Sequence, residues 1–481
     1  MSISTALPAR LWPSPEPDPA APSRQLVAVL AVALLGGLTL HIEALGLASL
    51  LTGAAVLAVA LGLRDVPPTL EQLVPAAGAV LLLGVATLRA AEWLVVLCVM
   101  GAWALTTLAL VGGRTWTGVV VGACAAGLVP LRALRWFVAL LRSLSWPAAS
   151  FRTALVVAVS GALVLVFGLL FGAADPAYAH LISSLIPGWR IDILAQRCIL
   201  IAGTGAITAL AVYLAQRPPS VDALAPAPAA PVKRAEWLVP LALVDGLFLS
   251  FVAVQLTVLF GGRDHVLRTT GLTYAEYARH GFWQLLVVTG LTLVVIAVAV
   301  RLAPRVTAVD RLLVQVLLGA LCVLSLLIVA SALHRMSLYE QQYGWTRLRL
   351  FVSAVELALG AVFVLLLAAG VRLDGRGLPR AVVGVAAVTL LGLALMNPDA
   401  WVARHDVHRY QKTGVIDTSY LSGLSADAVP ALLELPPGLR ACAVAPIAAR
   451  LERLPDPWYD DNLGRHHARS LLAEANLSAC R

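Results

Sequence analysis

The chain has 481 residues, 60% of them hydrophobic and 13% charged, with a mean hydropathy of +0.86 and a formal net charge of +8. A water-soluble domain carries about 25% charged residues to wet its surface. Half that charge on so much apolar material excludes a soluble enzyme, a nucleic-acid-binding module and a disordered chain. The composition is that of an all-α, polytopic transmembrane bundle whose first partner is the lipid bilayer. No basic stripe with interleaved aromatics points to nucleic acid. Six cysteines without a CxxC pair do not make a disulfide scaffold.

In chain order, residues 1–24 contain six prolines and read as a disordered lead, with no small-residue pattern for signal cleavage after the first apolar run. Crossing about 30 Å of hydrocarbon takes roughly 20 apolar residues. Runs free of Asp, Glu, Lys and Arg lie at 25–42, 44–63, 72–88, 93–113, 153–174, 198–216, 280–300, 312–334 and 381–398. Two more, 237–262 and 350–371, each contain one acid, Asp245 and Glu356. That makes eleven spans. A Gly-rich run of 17 residues, 115–131, is a weaker twelfth.

Loop charge arbitrates, because cytoplasmic loops are enriched in Lys and Arg. With eleven spans and the N-terminus inside, 17 basic residues fall on inside loops, 9 on outside loops and 9 in the C-terminal tail. With twelve, the loop count becomes 14 against 12. Eleven is therefore preferred. It makes 115–150 a re-entrant or interfacial segment whose Arg132, Arg135, Trp136, Arg142 and Trp146 suit an in-plane helix on anionic lipid. Both counts put the tail outside the cytoplasm.

The chain divides into the lead, an N-terminal transmembrane half (25–215), a Pro/Ala-rich linker (216–234), a C-terminal transmembrane half (235–398) and a helical tail (399–481). The linker, with Pro218, Pro219, Pro226, Pro228 and Pro231, reads as stiff and extended. The tail starts at Asn397-Pro398-Asp399, a cap, a proline at the first helical position and an acid in the first turn. Gly414 ends that helix, a second starts at Ser425–Asp427, and a third covers 460–475. An extracytoplasmic tail permits a disulfide between Cys442 and Cys480, and two free thiols are the alternative.

Ionisable groups in hydrocarbon cost about 2.5–3.5 kcal/mol each on insertion scales. Asp245 lies eight residues past Trp237, about 12 Å down the helix. It is a candidate proton or cation site sharing a polar seam with Gln255, or else a protonated acid joining two helices. Glu356, six residues into its span, is expected near the outer interface in reach of water.

Two outside loops are dense in polar groups. In the first, Thr273 and Glu276 form a capping box ahead of the next span, with Tyr274, Tyr277 and Arg279 alongside. In the second, Tyr339, Glu340 and Tyr343 precede Gly344, which is expected to stop a helix, and Thr346 caps the next. Arg347 and Arg349 then stand at its mouth, where they could clamp a phosphate or carboxylate, or pair with Glu340 or Glu276. In the tail, His405, His408, Asp461 and His466 could be drawn together around zinc, but solvated helix faces explain them as well, and no metal or cofactor is expected.

The runs Gly271-Leu-Thr-Tyr-Ala-Glu-Tyr-Ala-Arg279 and Leu338-Tyr-Glu-Gln-Gln-Tyr-Gly-Trp-Thr-Arg-Leu-Arg349, with Asn397-Pro-Asp399 and Leu421 to Leu432 in the tail, resemble a bacterial family of polytopic membrane proteins known only as a domain of unknown function. The resemblance covers about 152–432. It implies a multi-pass protein of the bacterial inner membrane and no reaction or ligand. Three functions follow in order of preference: a small-solute transporter or channel, a scaffold or sensor whose tail docks a protein partner, and an enzyme acting on a lipid-linked or envelope substrate.

Overall fold

The computed structural model describes residues 22–41, 45–143, 191–226, 232–260, 282–303, 307–372, 374–454 and 457–475, with scattered positions between 153 and 178. Every regular element among them is helical. The N-terminal half comprises α1 (Pro22–Thr39), α2 (Leu47–Gly62), α3 (Leu70–Leu88), α4 (Glu92–Val111), α5 (Trp116–Leu128), α6 (Pro130–Ser143) and α7 (Ile191–Gln216). The C-terminal half comprises α8 (Arg234–Phe260), α9 (Phe282–Leu302), α10 (Ala308–Tyr343), α11 (Arg347–Arg372) and α12 (Leu378–Met396). The tail holds α13 (Pro398–Thr413), α14 (Thr418–Ser422), α15 (Val429–Leu432), α16 (Pro437–Arg453) and α17 (Leu463–Glu474).

Eight described helices (α3, α4 and α7 to α12) are long and apolar enough to cross a bilayer, and α1 and α2 are apolar but shorter. Most of their surface faces outward and is greasy: Leu243, Leu247, Val254, Val364 and Leu395 are each more than half exposed. Rods that close their own backbone bonds and leave such surface uncovered belong in lipid, so the chain is a multi-pass membrane protein. The predicted 153–174 span lies outside the described residues apart from isolated helical positions.

The 115–131 run is not one rod. It breaks at Val129, and α5 and α6 meet at a bend of 56°. Pro130 has no N–H to continue α5 and starts α6 instead. The amphipathic α6 turns its apolar face inward: Trp136 is fully buried against Tyr213 of α7, 6.1 Å between ring centres. This corrects the expectation for Trp136, which anchors α6 to the bundle and not to lipid.

The linker is corrected too, at least in its first part. Residues Val221–Leu224 form a 3-10 turn docked on the α4–α5 connection, where Asp222 accepts bonds from the Arg114 and Thr115 main-chain N–H groups at 2.9 and 2.8 Å. At that end of the bundle Glu71 holds Arg114 and Arg380 at 2.9 and 3.0 Å, and Asp310 holds Arg234 at 2.7 Å. These contacts gather the N-termini of α3, α8, α10 and α12 at one end.

The tail sits at the opposite end and is not a loose appendage. One hydrophobic core runs from Leu82, Leu94 and Cys98 of α3 and α4, past Leu393 of α12, into Val402, Leu432 and Val444 of the tail. Helix α16 was not expected from the sequence. Its buried face, with Ala443, Val444, Ile447 and Leu451, is what closes the tail on itself.

Candidate functional site

The tail reads the ends of the transmembrane helices through their unsatisfied main-chain groups. The α3–α4 connection is only Arg89-Ala90-Ala91. Arg89 donates to the Ala394 and Leu395 carbonyls at the end of α12, at 2.6 and 3.3 Å, a cation at the negative end of a helix. Asp427 accepts the Ala90 N–H at 2.7 Å, and Asn462 donates to the Ala86 and Arg89 carbonyls, both at 2.8 Å. Asn462 also caps α17 by accepting the Arg465 N–H.

Asp399 is the hub. It is fully buried at the start of α13 and takes both arms of the Arg347 guanidinium, at 2.8 and 2.5 Å. It also accepts the Trp93 indole N–H at 3.2 Å and the Ser425 N–H at 2.7 Å. Burial alone would raise its pKa, but Arg347 and Ser425 outweigh that and hold the carboxyl below its ordinary range. Tyr420 accepts the Arg347 N–H at 2.7 Å. Arg347 therefore pairs with Asp399, and not with Glu340, one of the partners the sequence offered.

The other loop residues take structural positions. Gly344 ends α10 with φ +83°, a conformation suited to glycine, and Asp406 and Arg409 lie where a Cβ would stand. Thr346 accepts the Arg349 N–H, as expected of a cap. Arg349 donates to the Gly344 carbonyl and stacks over Tyr339, 4.3 Å from the ring, and Tyr339 in turn packs on Tyr343. Glu340, in the last turn of α10 and past its apolar run, is buried, and burial raises its pKa to about 7 against the opposing charge of Arg349. Tyr274, Glu276, Tyr277 and Arg279 lie outside the described residues.

Between the tail and the α3–α4 turn lies a cavity of about 730 Å³. Four arginines line it, Arg89 and Arg347 from the bundle, Arg450 and Arg465 from the tail, against a single lining carboxylate, Glu92. Arg89 and Arg450 spend their hydrogen bonds on main-chain carbonyls, Arg450 on those of Ser422 and Leu424. Among the described residues no carboxylate is in contact with either to cancel its charge. Arg465 is buried and donates to the Leu45 and Asp460 carbonyls. The basin is a cationic chamber at the rim of the bundle, with Glu92, Val96 and Arg450 exposed at its edge.

Of these groups the sequence singled out only Arg347 as a ligand-binding candidate. Arg89 was counted as a loop charge and Arg450 and Arg465 as tail charges, and Arg89 meets them from more than 350 residues away. One signal was visible: Arg89-Ala-Ala-Glu92 is the only charged punctuation between two long apolar runs.

The intramembrane candidates stand elsewhere, in the C-terminal half. Gln255 accepts from Arg335 at 2.6 Å and Ser331 at 3.2 Å, fixing α8 to α10. Asp245 does not join them. Its carboxyl is buried without a hydrogen-bond partner among the described residues, as is that of Glu356, which is fully buried and does not reach water as expected. Neither lines the basin. Removing such a charge while keeping its shape should relieve a desolvation penalty. Asp245→Asn and Glu356→Gln are each expected to raise the thermal midpoint of the detergent-solubilised protein. A drop of several degrees would mean that the acid makes contacts an amide cannot replace.

In the tail, His466 and His467 line a second cavity of about 710 Å³ with Arg404, Asp427 and Glu434, while His405 stacks on Trp401 at 4.2 Å. Among the described residues no three His, Cys, Asp or Glu side chains gather closely enough to hold a metal ion. Cys442 is disulfide-bonded, while Cys98, Cys124, Cys198 and Cys322 are free thiols, and Cys480 lies outside the described residues.

Neither a curated protein nor a solved structure matches the chain. A family model does match, over residues 76–435, which takes in the bundle from α3 onward, both loop motifs and the hub of the tail. The chain belongs to the family described as a domain of unknown function, DUF4153.

Proposed function

We propose that this protein binds a phosphate-bearing ligand at the outer face of a bacterial cytoplasmic membrane, in the basin roofed by its tail. The observation that carries the reading is the lining: four guanidinium groups around about 730 Å³, of which only Arg347 is matched by a carboxylate in contact, Asp399. Glu92 is the one lining carboxylate among the described residues. Arginine's planar fork suits phosphate oxygens and stays charged at any physiological pH. Two segments from the bundle and two from the tail supply the charges, so a ligand there would bridge the two and favour the docked tail.

Orientation follows from charge. The end of the bundle opposite the tail carries Arg64, Arg114, Arg217, Lys233, Arg301 and Arg380, which the positive-inside rule assigns to the cytoplasm. Eleven spans follow if α1 and α2 cross, 153–174 crosses, and α5–α6 turn back within the inner interface. A disulfide at Cys442 suits an oxidising compartment, and Cys480 is its proposed partner. Among the three functions weighed from sequence, an outer-face basin supports an outer-face enzyme or a ligand-gated scaffold. Transport through the C-terminal half rests on Asp245 and Glu356, whose carboxyls have no hydrogen-bond partner among the described residues.

The test is thermal unfolding of the purified full-length protein in a neutral detergent, titrated with sodium pyrophosphate. Pyrophosphate should raise the midpoint, and Arg450→Gln should weaken its apparent affinity about tenfold, the loss of one charge-assisted contact. Arg453→Gln, one turn along α16 but outside the basin lining, should behave as wild type. Equal midpoint shifts in the two variants, or none in the wild type, would dispose of the basin as an anion site.

A further inference from the structure

A further cavity lies deeper along the same wall of the bundle. It encloses about 240 Å³ between α2, α4 and α7, and Leu45 lines both it and the basin. Helix α4 forms a common wall: Glu92, Val95 and Val96 face the basin, then Val99, Trp103 and Thr106 face the groove. Steps of three and four residues keep these positions on one side of the helix. Glu92 to Thr106 covers fourteen residues, or about 21 Å at 1.5 Å each, more than half the thickness of the hydrocarbon layer. The groove is predominantly apolar, and Trp103 and Ile207 at its edge are each about two-fifths exposed.

Polarity changes along this wall in the order that an amphiphile would require. Arginines stand at the outer end and aliphatic side chains at the inner end. Between them, on successive turns of α2, Ser49 and Thr52 line the upper groove, and both hydroxyls are buried without a partner among the described residues. A buried hydroxyl with no acceptor or donor is destabilising unless something else completes it. The ester region of a glycerolipid would lie at that depth.

Resting on the basin reading, we propose that the ligand is an anionic phospholipid, its phosphate held among Arg89, Arg347, Arg450 and Arg465 and one hydrocarbon chain laid in the α2–α4–α7 groove. A soluble phosphate compound would use the basin alone. A lipid entering sideways past Trp103 and Ile207 uses both, and the groove then contributes most of the affinity because apolar burial scales with the area covered.

Three probes distinguish these ligands on the purified full-length protein in neutral detergent: dioleoyl phosphatidic acid, dioleoyl phosphatidylcholine and sodium pyrophosphate. Wild type should retain one phosphatidic acid per chain in native mass spectrometry. It should bind it at least tenfold more tightly than the neutral-net phosphatidylcholine and than pyrophosphate. Val99→Trp, which fills the groove, should lose at least tenfold in phosphatidic acid affinity while keeping the wild-type response to pyrophosphate. Ile207→Trp, at the exposed edge and with little risk to folding, should lose affinity in the same direction. Undiminished phosphatidic acid binding in both variants overturns the proposal, as does equal binding of phosphatidic acid and pyrophosphate by wild type, and either result leaves the anion basin standing. A wild type blind to all three probes removes the basin and the lipid together.

Discussion

Asp399→Ala should release the tail from the bundle and lower stability by about 3 kcal/mol. Removing one partner of a buried ion pair leaves the other charge uncompensated, which costs roughly 3–5 kcal/mol when both are fully buried. Asp399 is fully buried, but the Arg347 side chain keeps 32% of its exposure, so the lower end of the range applies. The Trp93 indole and the Ser425 N–H lose their acceptor at the same time. The prediction has an internal control in the double variant Arg347→Leu/Asp399→Leu. With both charges gone, much of the loss should be recovered, because apolar replacement of a whole buried pair is often neutral. Arg347→Lys should be intermediate, since an ammonium cannot span both carboxylate oxygens. The readouts are the thermal midpoint in detergent and the rate of tryptic cleavage after Arg409 of α13, which the docked tail packs against Gly344 and Asp406. If Asp399→Ala costs no more than about 0.5 kcal/mol, the range of an ordinary surface change, the tail is held by its apolar core and not by this hub.

What the sequence disclosed and what it hid divide along a physical line. Hydropathy located the membrane helices because each span is a local property of about 20 residues, and α3, α4 and α7 to α12 lie on runs read that way. Local chemistry was largely legible: the helix start at Pro398-Asp399, the Gly344 stop and the Thr346 cap stand where their short-range rules put them, whereas Asn397 precedes its helix with φ +56° and makes no side-chain capping bond. The failures are long-range. Trp136 was assigned to lipid because the residues around it are basic, whereas Tyr213, 77 positions away, receives it. Arg347 was offered loop acids, Glu340 or Glu276, as partners, whereas the acid it meets, Asp399, lies 52 residues on in the tail. The basin needed the register of four segments at once. An arginine whose bonds go to carbonyls leaves no complementary acid in the sequence to betray its position.

Raising the pH from 5 to 8 should destabilise the docked tail, and the double variant Glu340→Gln/Asp427→Asn should abolish most of that slope. Both acids are buried at the tail-bearing end, with 3% and 5% of their surface exposed. Burial raises Glu340 to about 7 in the face of Arg349. It raises Asp427 to about 6 in spite of the Ala90 N–H bond, helped by the neighbouring Asp399 charge. Asp406 moves the same way, again through burial. For a carboxyl whose native pKa lies above its unfolded value, near 4, the native state holds its proton longer than the unfolded chain does. Stability from that group is fully present below pH 4 and is lost as pH rises through the native value. At about 1.36 kcal/mol per unit, the part of the gap that falls above pH 5 is worth about 1 kcal/mol for Asp427 and about 3 kcal/mol for Glu340. Asp399 works in the opposite sense, because its lowered pKa favours folding at neutral pH and fails only below the ordinary carboxylate range. It therefore does not mask the effect between pH 5 and 8. The measurement is the thermal midpoint across that interval for wild type, each single amide variant and the pair. Wild type should fall with pH, and the variants should approach a flat line, the Asp427 variant removing slope up to about pH 6 and the Glu340 variant up to about pH 7. A wild-type midpoint that climbs from pH 5 to 8 would show these carboxyls to be ionised when docked, with compensating charges the docked tail does not otherwise reveal.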